Sequence, residues 1–250
     1  MDGRTQFTLA EEFAAAQDWW REAGVDLAFD DATAHWLKER EEELAAEAPT
    51  PITVPKKAPP PPPKPKIGGA PESWPQTLEA FAPWWLAEPS LDAGSSRPRI
   101  APRGNKGAKL MVLVPEPEAG DTELLLSGPG GRLLKSFLSA AGITEDETYV
   151  ATVLPRHTPH PDWARLVEAG LGTVALHHIG LAAPQRVLGF GRDILPLLGH
   201  DPAQTTGFLP EINHQAGSVP FFAERSLDFL LARPAARSGF WQRWLDWTGS

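Results

Sequence analysis

The apolar positions of this chain follow three regimes. Along "LAEEFAAAQDWWREAG", residues 9–24, Leu9, Phe13, Ala16 and Trp20 recur near the helical period, which predicts an amphipathic helix closed by Gly24. "VDLAFDD" reads as a turn, and Asp31 is placed to cap a second helix through "ATAHWLKEREEELAAEA". Beyond Trp36 and Leu37 that helix is mostly charged. Residues 49–71, "PTPITVPKKAPPPPPKPKIGGAP", have no period, and their prolines lack the amide hydrogens that helix and sheet require. They predict an extended polyproline spacer of about 3.1 Å per residue.

From Trp74 onward the pattern changes again. "TLEAFAPWWLAE" predicts a short helix broken at Pro83. Apolar runs at "KLMVLV" (109–114), "ETYVATVL" (147–154), "QRVLGF" (185–190) and "GSVPFF" (217–222) read as buried strands. Between them lie a helix from Arg132 presenting Leu134, Phe137, Leu138 and Ala141, a helix capped by Asp162 through "WARLVEAGLGTVALHHIGLA", and a short helix at "RDILPLLG". Ser226 to Trp247 predicts a helical end, with Pro234 suited to a first turn and Trp241, Trp244 and Leu245 as a packing stripe. Alternating strands and helices predict an α/β fold, a three-layer α/β/α sandwich around a mostly parallel four-stranded sheet. The expected organisation is an acidic helical leader (1–48), a Pro-rich linker (49–73) and the α/β/α domain (74–250).

Composition narrows the chemistry. The 250 residues include 27 prolines and no cysteine, which excludes disulfides, Cys-ligated zinc and Cys-bound iron–sulfur clusters. No apolar run approaches the ~20 residues of a membrane span, and "MDGRTQFTLAEEF" lacks the regions of a signal peptide, so a cytoplasmic protein is expected. Residues 1–49 hold 13 acidic and 4 basic side chains, residues 50–109 hold 4 and 9, and residues 110–250 hold 15 and 10. Only the middle segment, with its loop "SSRPRIAPRGNKGAK", offers the basic footprint that phosphate contacts demand, so any DNA contact is expected to be weak.

"LSGPGGRLLKSFLSAAGI", residues 126–143, has glycines opening an apolar helix, as phosphate loops do. A Walker loop needs Lys-Ser/Thr after its last glycine, and Arg132-Leu133 stand there instead. Two readings stay open. Gly128, Gly130 and Gly131 let the loop approach the helix closely, or they leave backbone amides free to meet an anion. His157 and His160 lie in a Pro-rich loop and His177 and His178 are adjacent in sequence; neither pair has a third ligand at useful spacing, so no metal site is expected. No Gly-x-Ser-x-Gly elbow exists.

The order of motifs from "RIAPRGNKGAKLMVLVPEPEAGD" through "SGPGGRLLKSFLSAAG", "TYVATVLPR", "VLGFGRDILPLLG" and "RSLDFLLARPAARSGFWQRW" resembles the uracil-DNA glycosylase superfamily, above all its bacterial iron–sulfur branch. The resemblance covers most of the chain outside the proline segment. It implies a base-extruding pocket in which a Glu positions water, a Phe stacks on uracil, an Asn reads its edge and a His stabilises the departing base. Those places fall on Glu116, Leu126, Thr152 and Ser226, and the cluster cysteines have no counterparts. Stacking on an aromatic contributes about 1–3 kcal/mol per base, and a donor aimed at developing charge about 2.7–4 kcal/mol. Of the four groups only the carboxylate of Glu116 survives, so little uracil excision is expected.

The segment "LDFLLARPAARSGFWQRW" is also similar to the end of the psi subunit of the bacterial clamp-loader complex, a related fold without glycosylase chemistry. That likeness implies a non-catalytic interaction module with a protein partner in a replication or repair complex; no cofactor and no membrane contact are expected. Trp19, Trp20, Leu27, Phe29 and Trp36 of the leader are the expected partner-binding residues, because aromatic side chains dominate interface hot spots. The alternative is an active DNA glycosylase that excises uracil or another damaged base through Glu116.

Overall fold

The structure is a computed structural model that describes residues 8–24, 66–92, 94–201, 203, 207–215 and 217–249. It divides into two units, Met1–Pro61 and Pro62–Ser250.

In the first unit, α1 spans Leu9–Glu22. Its start is fixed by a reciprocal cap: the Glu11 amide donates to Thr8 Oγ1 at 3.4 Å, and the Thr8 amide donates to Glu11 Oε2 at 2.7 Å. The expected stripe forms, but no residue of α1 is buried. Leu27, Phe29, Trp36, the expected second helix and most of the proline segment lie outside the described residues.

The second unit is mixed α/β. Its strands are β1 (Leu110–Val114), β2 (Thr148–Thr152), β3 (Val187–Phe190), β4 (Gly207–His214) and β5 (Gly217–Glu224), in the order β2-β1-β3-β5-β4. The four expected strands are present and mutually parallel. The sheet has five strands rather than four, because β4 adds an antiparallel edge beside β5. "GFLPEINH" hides this strand behind Pro210, which an edge tolerates and a central strand does not.

Helices are α2 (Leu78–Ala87), α3 (Pro129–Ala140), α4 (Trp163–Glu168), α5 (Leu171–Ala182), α6 (Leu227–Ala232) and α7 (Ala235–Thr248). The period-2 pleat of β1 divides its side chains between two clusters. Met111 and Leu113 pack with Leu171, Ala175 and Ile179 of α5. Leu110, Val112 and Val114 pack with Leu134 and Phe137 of α3 and Phe240 and Trp244 of α7. This two-sided burial explains why β1 reads as a continuous apolar run.

Four boundary expectations need correction. α2 is not broken at Pro83 but runs through it. The lost amide would pair with the carbonyl of Glu79, and both residues are exposed, while Phe81 and Trp85 on the other face are buried and keep the helix docked. The helix capped by Asp162 ends at Glu168, and α5 starts after Gly170, whose φ of +90° suits glycine and stops the helix. "RDILPLLG" forms two 3₁₀ turns, Arg192–Ile194 and Pro196–Leu198. The helical end is divided before Pro234 into α6 and α7.

A third cluster wraps residues 67–100 onto α5. Trp74, Phe81, Trp85 and Leu91 are buried with Val174. The indole of Trp85 donates to the Ile100 carbonyl at 3.1 Å, and that of Trp74 to the Gly68 carbonyl at 2.7 Å. His178 is enclosed there, stacked on Phe81 with ring centroids 4.0 Å apart. The hydroxyl of Tyr149 and His178 Nε2 share a 2.7 Å hydrogen bond. His177 points elsewhere, to the Pro75 carbonyl at 2.7 Å.

Candidate functional site

The carboxyl ends of parallel strands are the usual place for a site in such sheets. Here the segment after β1, the start of α3, the end of β3 and the start of α6 enclose a cleft of about 580 Å³. Glu116, Leu126, Gly128, Gly130 and Ser226 all line it. Thr152 does not: it is buried at the end of β2, opposite Val114. Ser226 is engaged as the N-cap of α6, accepting from the Phe229 amide at 3.2 Å.

The glycine loop does cradle an anion, and the anion belongs to the chain. α3 begins at Pro129, three residues before the expected start at Arg132. The amides of Gly128 and Gly130 donate to the Glu118 carboxylate at 2.9 and 2.8 Å, and that of Gly131 at 3.4 Å. A carboxylate at a helix N-terminus satisfies orphan donors and meets the positive end of the helix dipole. Close approach also matters: a Cβ on Gly131 would sit 1.7 Å from the Leu126 carbonyl oxygen. The close-approach reading describes the loop, and the amides that the other reading left free are taken by Glu118.

Asp121 folds the loop that delivers Glu118. Its buried carboxylate accepts from the amides of Glu118 (2.9 Å), Leu126 (2.8 Å) and Ser127 (2.8 Å) and from the Ser127 hydroxyl (2.7 Å). These bonds hold Leu126 at a φ of +56°, which an ordinary leucine avoids. Neither Glu118 nor Asp121 was singled out by sequence reasoning. The available signal was an acidic pair just upstream of a glycine-rich helix start that has no cationic partner of its own.

Glu116 is half-buried. Its Oε2 accepts from the Thr158 amide at 2.6 Å, and Oε1 lies 3.3 Å from His157 Nδ1. Burial pushes its carboxyl above the usual carboxylate range, against the Thr158 amide, His157 and Arg97, and repulsion from Asp228 adds to the rise. The lining carries four carboxylates, Glu116, Glu118, Asp193 and Asp228, and among the described residues no lysine or arginine.

Arginines of the basic loop are engaged by acceptors of the fold, together with Arg156 from beyond it. Arg99 and Arg156 both pair with Asp92 Oδ2, at 3.0 and 2.8 Å. Arg99 also donates to the carbonyl of Glu88 that ends α2, and Arg156 to those of Ser95 and Arg97. Arg97 donates to the Ala119 carbonyl at 2.8 Å. Burial opposes the charge on Asp92, but the Gly94 amide, Arg99 and Arg156 outweigh it and hold its carboxyl below the usual range.

Among the described residues, no group of three or more His, Asp or Glu side chains is placed to hold a metal ion, and no helix is long and apolar enough to cross a membrane. No protein-family model matches the chain, and no curated protein matches it in sequence.

Proposed function

We propose that the chain is a non-catalytic protein-interaction module of DNA replication or repair, similar in design to the clamp-loader psi subunit. Its α/β unit is then a uracil-DNA glycosylase-like three-layer sandwich whose old pocket has become structural, and its acidic leader is a partner-binding arm carried on a proline tether. The observation that carries this reading is the self-filled anion cradle, with Glu118 standing where a phosphate or polar ligand group would meet the amides of α3. The acidic cleft beside it repels a phosphodiester backbone. Leu126 offers no aromatic face for a base, and Ser226 is committed to capping α6.

One observation favours a glycosylase instead. Glu116 is a half-buried carboxylate next to His157 in a cleft, the kind of perturbed pair that marks acid–base sites. A direct assay separates the two. Purified protein is expected to release no uracil above background from single- or double-stranded oligonucleotides. Excision that vanishes in Glu116→Ala overturns the module reading and assigns the chain to the enzymes.

A further inference from the structure

A second surface of the α/β unit lies on the other side of the glycine loop. An open groove of about 750 Å³ runs between α3 and the edge strand β2. Its apolar floor includes Leu124, Leu134, Leu138 and Ile143, and Leu124 is 52% exposed. The charged groups lining it are Arg103, Arg132, Lys135 and Glu145. Lys135 and Glu145 pair with each other across exposed side chains, at 3.1 Å. Arg103 donates to the Leu125 carbonyl at 3.3 Å and forms no ion pair among the described residues. The groove is thus apolar inside and net basic along its walls, the opposite of the cleft around Glu116.

The chain carries a ligand of matching character. At 100° per residue, Leu9, Phe13, Ala16 and Trp20 of α1 fall within about 60° of one another. Glu11, Asp18 and Glu22 fall on the opposite side, within about 40° of one another. Leu9, Phe13 and Trp20 are 84%, 64% and 53% exposed, and Trp19 meets Trp20 edge-on with ring centroids 5.0 Å apart. An amphipathic helix of 14 residues, about 21 Å long, with one apolar stripe, is the form in which helices enter apolar grooves. Left unpaired, the stripe keeps two tryptophans in water.

We infer that the groove between α3 and β2 is the docking site for the acidic helix α1 of a second copy of the chain. The apolar stripe meets the leucine floor, and the carboxylates of the helix meet Arg103, Arg132 and Lys135. Charge selects an acidic helix over a basic one. No residue of α1 is buried in the single chain, so its stripe stays available to a second copy. Each copy offers one helix and one groove, so the pair of contacts closes a symmetric dimer. This inference rests on reading the chain as an interaction module, and it specifies one partner of the leader.

The test uses the full chain and light scattering. At about 100 μM, which populates a micromolar dimer, the expected mass is twice the 27.2 kDa of one chain. A leader variant, Phe13→Ala with Trp20→Ala, and a groove variant, Arg132→Glu with Lys135→Glu, alter exposed side chains only and are each expected to stay folded and run as monomers. An equimolar mixture of the two variants should recover dimer, because the groove variant still has an intact helix and the leader variant an intact groove. A monomeric unmodified chain overturns the inference, as does a mixture that fails to associate. Binding of a labelled single-stranded oligonucleotide that is lost in the groove variant reassigns the groove to nucleic acid and overturns it too. Uracil excision, measured separately, bears on the module reading without altering these masses.

Discussion

Asp121→Ala is expected to lower the unfolding free energy of the α/β unit by about 3–5 kcal/mol, from the 1–3 kcal/mol that each deprived buried donor costs. The substitution removes the acceptor for three backbone amides and one hydroxyl at once. Water can reach Ser127, which is exposed, but not readily Leu126, which is buried. The amide of Leu126 therefore loses its partner in a place where nothing replaces it, and its positive φ loses the bond that enforces it. For a unit of this size, that cost corresponds to a fall in Tm of roughly 10 °C or more. Denaturant unfolding should show a lower midpoint with unchanged slope, since the core is untouched. Asp121→Asn keeps one acceptor oxygen and should lose less than half as much. Equal losses for the two variants would mean that the carboxylate charge, which both remove, rather than the number of acceptor oxygens, holds the loop.

Acid is expected to destabilise the fold through His178. This ring is fully buried, and burial, with a smaller contribution from His177, lowers its pKa to about 3. The unfolded chain titrates near 6.5, so below that pH the unfolded state binds the proton and the native state resists it. Stability is therefore complete above about pH 6.5 and falls as pH drops toward the folded value. Between pH 7 and pH 5 the loss from this one group is about 2 kcal/mol, and it grows further down. Tyr149, the hydrogen-bond partner, has its own pKa pushed up by burial and stays neutral throughout. His178→Gln should flatten the stability profile between pH 7 and pH 5, whatever it costs at neutral pH. An unchanged slope would refute the assignment.

How far the sequence could be read depended on whether a feature was local. β1, β2, β3 and β5 were legible because strands buried on both faces appear as apolar runs, whatever their neighbours. β4 was not: its pairing depends on β5 across a short turn, and Pro210 and Glu211 argue locally against a strand. α2 through Pro83 was missed for a similar reason, since its helix is held by contacts of Phe81 and Trp85 that lie far along the chain. At the candidate site, Glu116, Leu126 and Ser226 line one cleft, and Thr152 does not. The roles of Glu118 and Asp121 depend on bonds five to thirteen residues away, formed only when the loop turns back on α3. Arg99 read as part of a basic loop, and only the fold reveals that it shares the partly buried Asp92 with Arg156.

The carboxylate at the start of α3 also sets a competition that free anions enter at a disadvantage. Glu118 is tethered ten residues before the first amide it meets, so its effective concentration there is at least millimolar, as for any short intramolecular link. A phosphate arriving from solution must first evict it, leave the displaced charge in a cleft already holding Glu116, Asp193 and Asp228, and then endure their repulsion. The helix terminus is consequently inert toward the metabolite pool, although its geometry is that of an anion receptor. The latent receptor is one side chain away from exposure: Glu118→Gly would return three amides to solvent, and binding of sulfate by that variant alone would measure how strongly the native chain guards its own vacancy.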